Sequence, residues 1–264
     1  MIDNPRSPRV RAVAKLAKKS GRQDSGRFLL EGPQAVAEAL GFRPELVEEL
    51  YATEGIIERQ PELVRVASAA GIEIETVAPT VLDAMADTVT PQGVVAVARQ
   101  FPSSLAAVVA AGPRLVAVLE EVRDPGNAGT ILRAADAAGA DAVIFTGRTV
   151  DPYNPKVVRS TTGSLFHVPH VVGADLGEAV SALRGAGLQV LAADVAGDDL
   201  LEARASLSRP TAWVFGNEAH GLDEGQLALV DRTLRLPIYG AAESLNLATA
   251  ASVCLYESAF AQRA

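Results

Sequence analysis

The sequence has little of what disulfides and metal sites require. Its 264 residues include one cysteine, Cys254, and three histidines. A single cysteine excludes an internal disulfide and is typical of a reducing compartment. Its apolar neighbours, Val253 and Leu255, predict a buried thiol rather than a nucleophile. The histidines show no spacing with cysteines or paired carboxylates that suits a metal ion, so we expect no metal; they are His167, His170 and His220.

Long hydrophobic runs are also absent. No stretch approaches the roughly 18 apolar residues of a membrane span, and the charged N-terminus lacks the apolar core of a secretory signal. We therefore expect a cytoplasmic protein without a membrane partner. Hydrophobic residues make up 48% of the chain and charged residues 21%, which is enough apolar surface for a packed core.

Charge is unevenly distributed along the chain. The net charge is −8, which by itself argues against binding to nucleic acid. Residues 1–27, however, contain eight basic and two acidic residues, a net charge of +6, and the remainder carries −14. This distribution allows two interpretations, a basic N-terminal arm for a polyanion or a solvated amphipathic tail, and charge alone does not choose between them.

The pattern after this arm predicts two α/β domains. Residues 28–100 alternate short strands and helices and form a small domain; strands are predicted at 28–32, 46–54, 72–78 and 93–100, and helices at 33–40, 61–70 and 80–87. A stretch ending in Gly-Pro, residues 101–113, is the predicted linker.

Residues 114–264 contain longer and more apolar strands, predicted at 114–122, 141–147, 188–195, 211–216 and 232–237. Helical stretches between them favour a mostly parallel sheet with helices on both faces. In such sheets, ligands bind where loops leave the carboxyl ends of the strands. Three loops rich in glycine and polar residues occupy those positions.

The first loop begins at Asp124 and leads into a helix. Asn127 is predicted to cap this helix, with flanking glycines that allow close backbone approach. Arg133 lies on the side of the helix opposite to its apolar face. A purely structural alternative for Arg133 is an exposed ion pair with Asp136, three residues further on.

The second and third loops carry amides, carboxylates and a serine. Residues 214–222 run from a strand into a glycine turn that contains Asn217 and Glu218; the alternative is an ordinary turn capped by Asn217. Residues 236–247 contain Ser244 and Asn246, and helix capping explains one of these two residues. The helix that follows is apolar around much of its circumference, which favours burial against the sheet and a second subunit.

Taken together, the loops resemble the three signature motifs of the SpoU/TrmH methyltransferases, a branch of the SPOUT superfamily. The motifs are N-x-G-x-x-x-R from Asn127 to Arg133, F-G-N-E-x-x-G from Phe215 to Gly221, and L-P-x(6)-S-L-N from Leu236 to Asn246. Residues 154–160 and 163–167 also resemble a segment usual in these enzymes. The resemblance covers residues 114–264, and 28–100 resemble the small ribosomal-protein-like substrate domain of several ribosomal RNA 2′-O-methyltransferases.

This resemblance implies a deep trefoil knot, a homodimer and S-adenosyl-L-methionine as the cofactor. It also implies an RNA substrate, with ribosomal RNA of the 23S type expected and transfer RNA as the alternative. By similarity, the cofactor is held by the second and third loops; its residues are Gly216, Asn217, Leu236, Ile238 and Leu245. The residues expected at the reaction centre are Asn127, Arg133, Glu218, Ser244 and Asn246.

The expected reaction is attack of a ribose 2′-oxygen on the methyl group of a sulfonium. The pKa of a guanidinium is so high that the group keeps its proton at neutral pH and is a poor general base. We therefore interpret Arg133 as a phosphate anchor and an electrostatic stabiliser of the forming alkoxide. The resemblance implies the alternative that Arg133 is the general base, which requires a strongly perturbed guanidinium.

Other functions are less consistent with the sequence. A Rossmann-type dehydrogenase or a conventional methyltransferase requires a G-x-G-x-x-G turn after a strand, and the sequence has none. A catalytically silent RNA-binding protein has no need to keep all five expected reaction-centre residues. A base-methylating SPOUT enzyme is expected to lack the combination of Arg133 with Ser244-Leu245-Asn246.

Overall fold

The structure is a computed structural model that describes residues 2–264. It divides into two compact units. The first extends to Phe101 and also includes Tyr153–His167, and the second comprises Pro102–Pro152 and Val168–Ala264. Within the described residues, no helix is both long and apolar enough to cross a membrane.

The elements alternate along the chain as the pattern predicts. The elements up to residue 101 are α1 Pro8–Ala14, α2 Lys19–Ser25, β1 Arg27–Glu31, α3 Pro33–Phe42, β2 Val47–Ala52, α4 Glu54–Arg59, α5 Pro61–Ala69, β3 Ile74–Thr76, α6 Pro79–Met85 and β4 Val94–Arg99. The later elements are α7 Leu105–Ala110, β5 Leu115–Glu120, α8 Pro125–Ala138, β6 Ala142–Thr146, α9 Pro155–Thr161, β7 His170–Ala174, α10 Leu176–Gly185, β8 Gln189–Asp199, α11 Leu200–Ala203, β9 Thr211–Phe215, α12 Glu224–Leu227, β10 Arg232–Arg235 and α13 Leu247–Arg263.

The first unit is built on a four-stranded sheet of order β1-β4-β2-β3. β4 pairs antiparallel with β1 and β2, and β2 pairs parallel with β3. Four of five residues in β1 and five of six in β4 are buried, because helices cover the sheet and leave few positions exposed to water. The predicted small α/β domain is therefore present as a mixed sheet.

The basic segment 1–27 is folded into this unit, which differs from the separate arm expected from its charge. Its apolar residues recur every three positions along α1 and the following 3-10 turn, so they share one face. Val10, Val13 and Leu16 are buried in the same cluster as Leu29 of β1. Seven of the eight basic residues in this segment are exposed, whereas Arg22 is buried.

The second unit contains the predicted parallel sheet, with six strands in the order β10-β8-β9-β5-β6-β7. Side chains alternate between its two faces. Val116 and Val118 of β5 pack in the cluster that includes α10, whereas Trp213 of β9 donates a hydrogen bond of 2.8 Å to Ser258 of α13. Helices therefore cover both faces, and the α/β fold class is confirmed.

Three details differ from the sequence-based expectation. The linker 101–113 contains α7, whose Val108 is buried in the core of the second unit. Strand β7 at His170–Ala174 was not predicted, because its run of apolar residues is short. Residues 153–167 belong to the first unit, although the residues before and after them in the chain belong to the second. Within the first unit, Arg159 on α9 forms ion pairs with Glu31 and Asp87.

Candidate active site

The first loop lies at the carboxyl end of β5 and leads into α8. Asp124 caps α8, since its Oδ1 accepts a hydrogen bond of 2.7 Å from the backbone N–H of Asn127. The predicted capping role of Asn127 is therefore wrong. Because Asp124 satisfies the helix terminus, the Asn127 side chain is available for contacts with the other two loops.

Glu218 of the second loop joins the first loop through three hydrogen bonds. Its carboxylate accepts from the backbone amides of Arg123 and Asp124, both at 3.0 Å, and from the Asn127 side chain at 3.2 Å. Partial burial raises the pKa of Glu218, but these hydrogen bonds together outweigh burial and lower the pKa below its ordinary value. Glu218 is therefore an anion at neutral pH that fixes the start of the first loop.

Asn246 of the third loop completes this contact. Its Nδ2 donates to Asn127 Oδ1 at 3.0 Å, while its own Oδ1 caps α13 by accepting from the backbone amides of Ala248 and Thr249. Helix capping was expected for either Ser244 or Asn246, and Asn246 is the residue that caps α13. Glu218, Asn127 and Asn246 form one hydrogen-bonded chain across all three loops, and we call this chain the loop network.

Asn217 shapes the second loop through a tight turn. Its backbone exchanges two hydrogen bonds with Gly221, and its Nδ2 donates to the carbonyl of Glu121 at 2.8 Å. A Cβ atom on Gly216 would lie 2.6 Å from the backbone carbon of Gly221. Glycine at this position is therefore required by the closeness of two backbone segments.

The main chain of the third loop lies outside the hydrogen-bonded helices and strands. Within residues 2–264, no backbone hydrogen bond outside the regular elements involves residues 236–245. Leu236 and Ile238 are half-buried, and Ser244 and Leu245 are exposed. Free N–H and C=O groups beside aliphatic side chains are a suitable donor and acceptor set for an adenine ring.

Arg133 is separate from the loop network. It is exposed on α8, in the third turn of that helix. The structure thus brings together Asn127, Glu218 and Asn246 of the predicted residues, whereas Arg133 and Ser244 are exposed and lie outside the loop network.

Sequence reasoning missed two acidic residues at the end of β5. Glu120 is buried, with Oε1 accepting from Gln226 and Oε2 without any partner among the described residues. Burial raises the pKa of its carboxyl. Glu121 has a positive φ of 51°, a backbone conformation that residues other than glycine rarely adopt. The signal available in the sequence was the pair of acids directly after a buried strand.

Within residues 2–264, no group of three or more His, Cys, Asp and Glu side chains is arranged to hold a metal ion. His167 instead pairs with Glu38 of the first unit at 3.2 Å. Burial raises the pKa of the Cys254 thiol to about 12, as expected for an unreactive core residue.

Two family models match this chain. The model of the SpoU rRNA Methylase family matches residues 114–256, and a model for RNA 2′-O ribose methyltransferase substrate binding matches residues 29–104. The first match covers most of the second unit together with residues 153–167 of the first, and the second match covers most of the four-stranded sheet of the first unit.

Curated relatives and solved structures match over nearly the whole chain. The 23S rRNA (guanosine(2553)-2′-O)-methyltransferase RlmP of Bacillus subtilis (strain 168) is 34% identical, over 97% of this chain and 97% of the relative. The 23S rRNA (uridine(2479)-2′-O)-methyltransferase of Streptomyces viridochromogenes is 33% identical, over 93% of this chain and 86% of the relative. The structure of the SpoU methyltransferase AviRb from Streptomyces viridochromogenes with the cofactor AdoMet has a TM-score of 0.82 at 32% identity, covering 97% of this chain and 99% of that one.

Proposed function

Because the chain belongs to the SpoU family of RNA methyltransferases, we propose that it methylates a ribose 2′-hydroxyl of 23S ribosomal RNA with S-adenosyl-L-methionine. The protein is an S-adenosylmethionine-dependent RNA methyltransferase. The single observation that carries the proposal is the loop network, which joins the three motifs through the Glu218–Asn127 and Asn127–Asn246 hydrogen bonds.

The cofactor fits the third loop. S-adenosylmethionine, when bound, supplies a methyl group on a positively charged sulfur. The unpaired main-chain groups of 236–245 offer hydrogen bonds to an adenine edge, and the side chains of Leu236, Ile238 and Leu245 offer apolar contact with its faces. We propose that Gly216 and Asn217 border the same pocket from the second loop.

Arg133 is proposed to act on the substrate. Its guanidinium has five N–H donors and is exposed, so it is accessible to a ribose oxygen and an adjacent phosphate. Its charge would stabilise the 2′-oxygen as the O–H proton leaves to solvent. The methyl group would pass from the sulfonium to this oxygen, so that the carbon–sulfur bond breaks as the carbon–oxygen bond forms and S-adenosylhomocysteine is left. Holding the two reactants in line supplies up to roughly 7–11 kcal/mol toward the barrier.

We propose that the loop network fixes the positions of Arg133 and Ser244 relative to each other. Glu218 and Asn127 fix the beginning of α8, the helix that carries Arg133, and Asn246 fixes the beginning of α13 beside Ser244. Ser244 is exposed and is proposed to donate a hydrogen bond to the substrate or the cofactor. The network therefore positions groups from the first and third loops relative to each other.

The first unit is proposed to bind RNA. This role is supported by the substrate-binding family model over 29–104 and by the solvent-facing cations of the N-terminal helices. Ribosomal RNA is favoured over transfer RNA because the two curated relatives described above, each matched over more than 90% of this chain, are named for nucleotides of 23S rRNA. An rRNA substrate also fits the expected cytoplasmic location.

A homodimer with the family's deep trefoil knot is proposed for the second unit. Helix α13 exposes 37% of Tyr256 and 62% of Phe260, whose rings lie 5.5 Å apart, next to Val253 at 39%. A continuous apolar strip of this kind favours a protein partner. Light scattering at low micromolar concentration is expected to give a dimer mass, and Phe260→Glu a monomer.

Methyl transfer to defined RNAs tests the proposed activity. The protein is incubated with S-adenosylmethionine labelled in its methyl group and with bacterial 23S rRNA, 16S rRNA or bulk transfer RNA. We expect label in 23S rRNA alone. Label in transfer RNA supports the alternative substrate, and cofactor binding without any transfer supports a silent RNA-binding protein.

A further inference from the structure

Glu121 binds two arginines from neighbouring loops. Its Oε2 accepts from Arg123 at 3.1 Å and its Oε1 accepts from Arg148 at 3.2 Å. Arg123 follows β5 and Arg148 follows β6, and these strands are parallel neighbours. The two guanidiniums therefore lie at the same edge of the sheet, on opposite sides of one carboxylate. Hydrogen bonds from Arg148 and Arg123 lower the pKa of Glu121, so it is ionised at neutral pH.

The backbone of Glu121 is held in an unfavourable conformation. Its φ of 51° lies in the left-handed region, and its carbonyl accepts the 2.8 Å hydrogen bond from Asn217. Left-handed conformations in residues other than glycine persist when the surrounding contacts determine them, and such residues cluster at functional sites. The second loop thus fixes the residue that holds both arginines.

This arrangement adjoins the loop network. The backbone amide of Arg123 donates to Glu218 at 3.0 Å. Arg123 also directly precedes Asp124, the residue that caps α8. Among residues 2–264, Glu121 is the side-chain partner of both guanidiniums. Arg123 is 48% exposed and Arg148 is 79% exposed, and each uses one N–H in its contact with Glu121.

The charge of the second unit makes these cations significant. Residues 102–152 and 168–264 contain ten arginines, no lysine and eighteen carboxylates, a net charge of −8. Such a unit repels RNA at long range. Approach of the polyanion to the loop network therefore requires local cations. Arg123 and Arg148 lie in the connections that follow β5 and β6, and Arg133 lies on α8, which follows the first of these connections.

We propose that Arg123 and Arg148 form a clamp for one phosphodiester of the RNA substrate, beside the ribose that is methylated, and that Glu121 is the positioning residue of this clamp. The inference rests on the proposed function. Arginine suits the task because its planar fork binds two phosphate oxygens at once. Glu121 holds each guanidinium through one N–H, so the remaining N–H groups can bind the phosphate. Because the two side chains are already held in place, they lose less conformational entropy when RNA binds.

The test compares four variants by RNA binding and by cofactor binding. Arg148→Gln, Arg123→Gln and Glu121→Gln are the test variants. Arg232→Gln is the matched control, since Arg232 is 42% exposed in the same unit and pairs with Asp198. The probe is in vitro transcribed 23S rRNA, titrated between 50 and 300 mM KCl, and S-adenosylmethionine affinity is measured by calorimetry.

We expect each arginine variant to weaken RNA binding about 5- to 20-fold at 100 mM KCl. The slope of log K against log salt should fall by about 0.7 to 0.9, as for loss of one phosphate contact. Glu121→Gln should weaken RNA binding several-fold although it removes a negative charge. Cofactor affinity should stay constant in all variants, which shows that they are folded, and Arg232→Gln should keep the wild-type salt slope.

Two outcomes overturn the proposal. If Glu121→Gln tightens RNA binding, Glu121 only neutralises the two arginines and does not position them. If Arg148→Gln keeps the wild-type slope, its guanidinium does not contact phosphate; this residue is on an exposed turn, so misfolding does not obscure the result. Failure of the proposed function is distinct, because the wild type itself then transfers no methyl group to RNA.

Discussion

The carboxylate of Glu218 accepts a hydrogen bond of 3.2 Å from the side-chain amide of Asn127, although the two residues are 91 positions apart in the chain. The same carboxylate holds the backbone amides at the start of the first loop. Glu218 thereby connects the loops after β5 and β9, which are neighbouring parallel strands.

The first prediction concerns this contact. Glu218→Gln keeps the shape of the side chain but loses the charge that strengthens three hydrogen bonds, each worth about 1.5–3 kcal/mol when one partner is charged. We expect kcat to fall by roughly 10- to 100-fold, with a smaller change in the affinity for S-adenosylmethionine. Glu178→Gln, at an exposed acid in the first turn of α10, is the control. An unchanged kcat in Glu218→Gln would show that the loop network does not contribute to catalysis.

The second prediction concerns the basic face of the N-terminal helices. Deleting residues 1–24 is an unsuitable test, because it also removes Val10, Val13 and Leu16 from the core. Replacing the exposed Lys15, Lys18 and Lys19 together with glutamine keeps the fold and removes three charges. We expect weaker RNA binding and a shallower salt dependence at constant cofactor affinity.

Equal salt slopes for the triple variant and the wild type would show that this face is exposed to solvent but does not bind RNA.

Arg22, a buried cation of the same segment, serves as a control for a purely structural role. It is 2% exposed and donates to the carbonyls of Leu16 and Ala17, so Arg22→Met should lower thermal stability by leaving those carbonyls unpaired.

The third prediction concerns pH. Burial raises the pKa of Glu120 above its ordinary value of 4.5, so the native state favours the protonated carboxyl. The stability contributed by this group is complete below pH 4.5 and declines as pH rises toward the folded-state pKa. Glu120→Gln removes the titration. The variant should gain free energy of unfolding relative to the wild type as pH rises from 4 to 8, measured by urea denaturation. A pH-independent difference between the two would contradict a raised pKa.

The fourth prediction concerns the turn after β9. A methyl group on Gly216 would meet Gly221 and Leu222 at 2.6–2.8 Å. Gly216→Ala should therefore destabilise the protein by about 1–3 kcal/mol through overpacking. Gly240→Ala is the matched control, since a Cβ there meets nothing within 4 Å. Equal melting temperatures for the two variants would show that the second loop moves freely.

The sequence predicted the parallel sheet and the three loops because both depend on local patterns. Apolar strands alternate with helices, and the motif residues are contiguous, so Asn127, Glu218 and Asn246 were identified before their contacts were known. Their pairing across 91 and 119 positions depends on strand order, which no local pattern specifies.

Other features depended on contacts that a sequence does not display. Charge suggested a separate arm at 1–27, whereas burial of one residue in three on α1 incorporates it in the first unit. Asn127 matched a helix cap by residue type, yet Asp124 lies at the position where the backbone turns. The positive φ of Glu121 could not be predicted, since the residue type argues against that conformation.

The chemical identity of the methylated nucleoside tests the central claim most directly. Labelled 23S rRNA is digested to nucleosides and analysed by mass spectrometry, and a second sample is treated with alkali. A 2′-O-methyl group removes the internal nucleophile of alkaline cleavage, so we predict a ribose-methylated nucleoside and a phosphodiester that resists hydrolysis on its 3′ side. Arg133→Lys should lose most of the turnover and keep cofactor binding, because lysine lacks the planar fork of arginine. A nucleoside methylated on its base, or full activity in Arg133→Lys, would contradict the account.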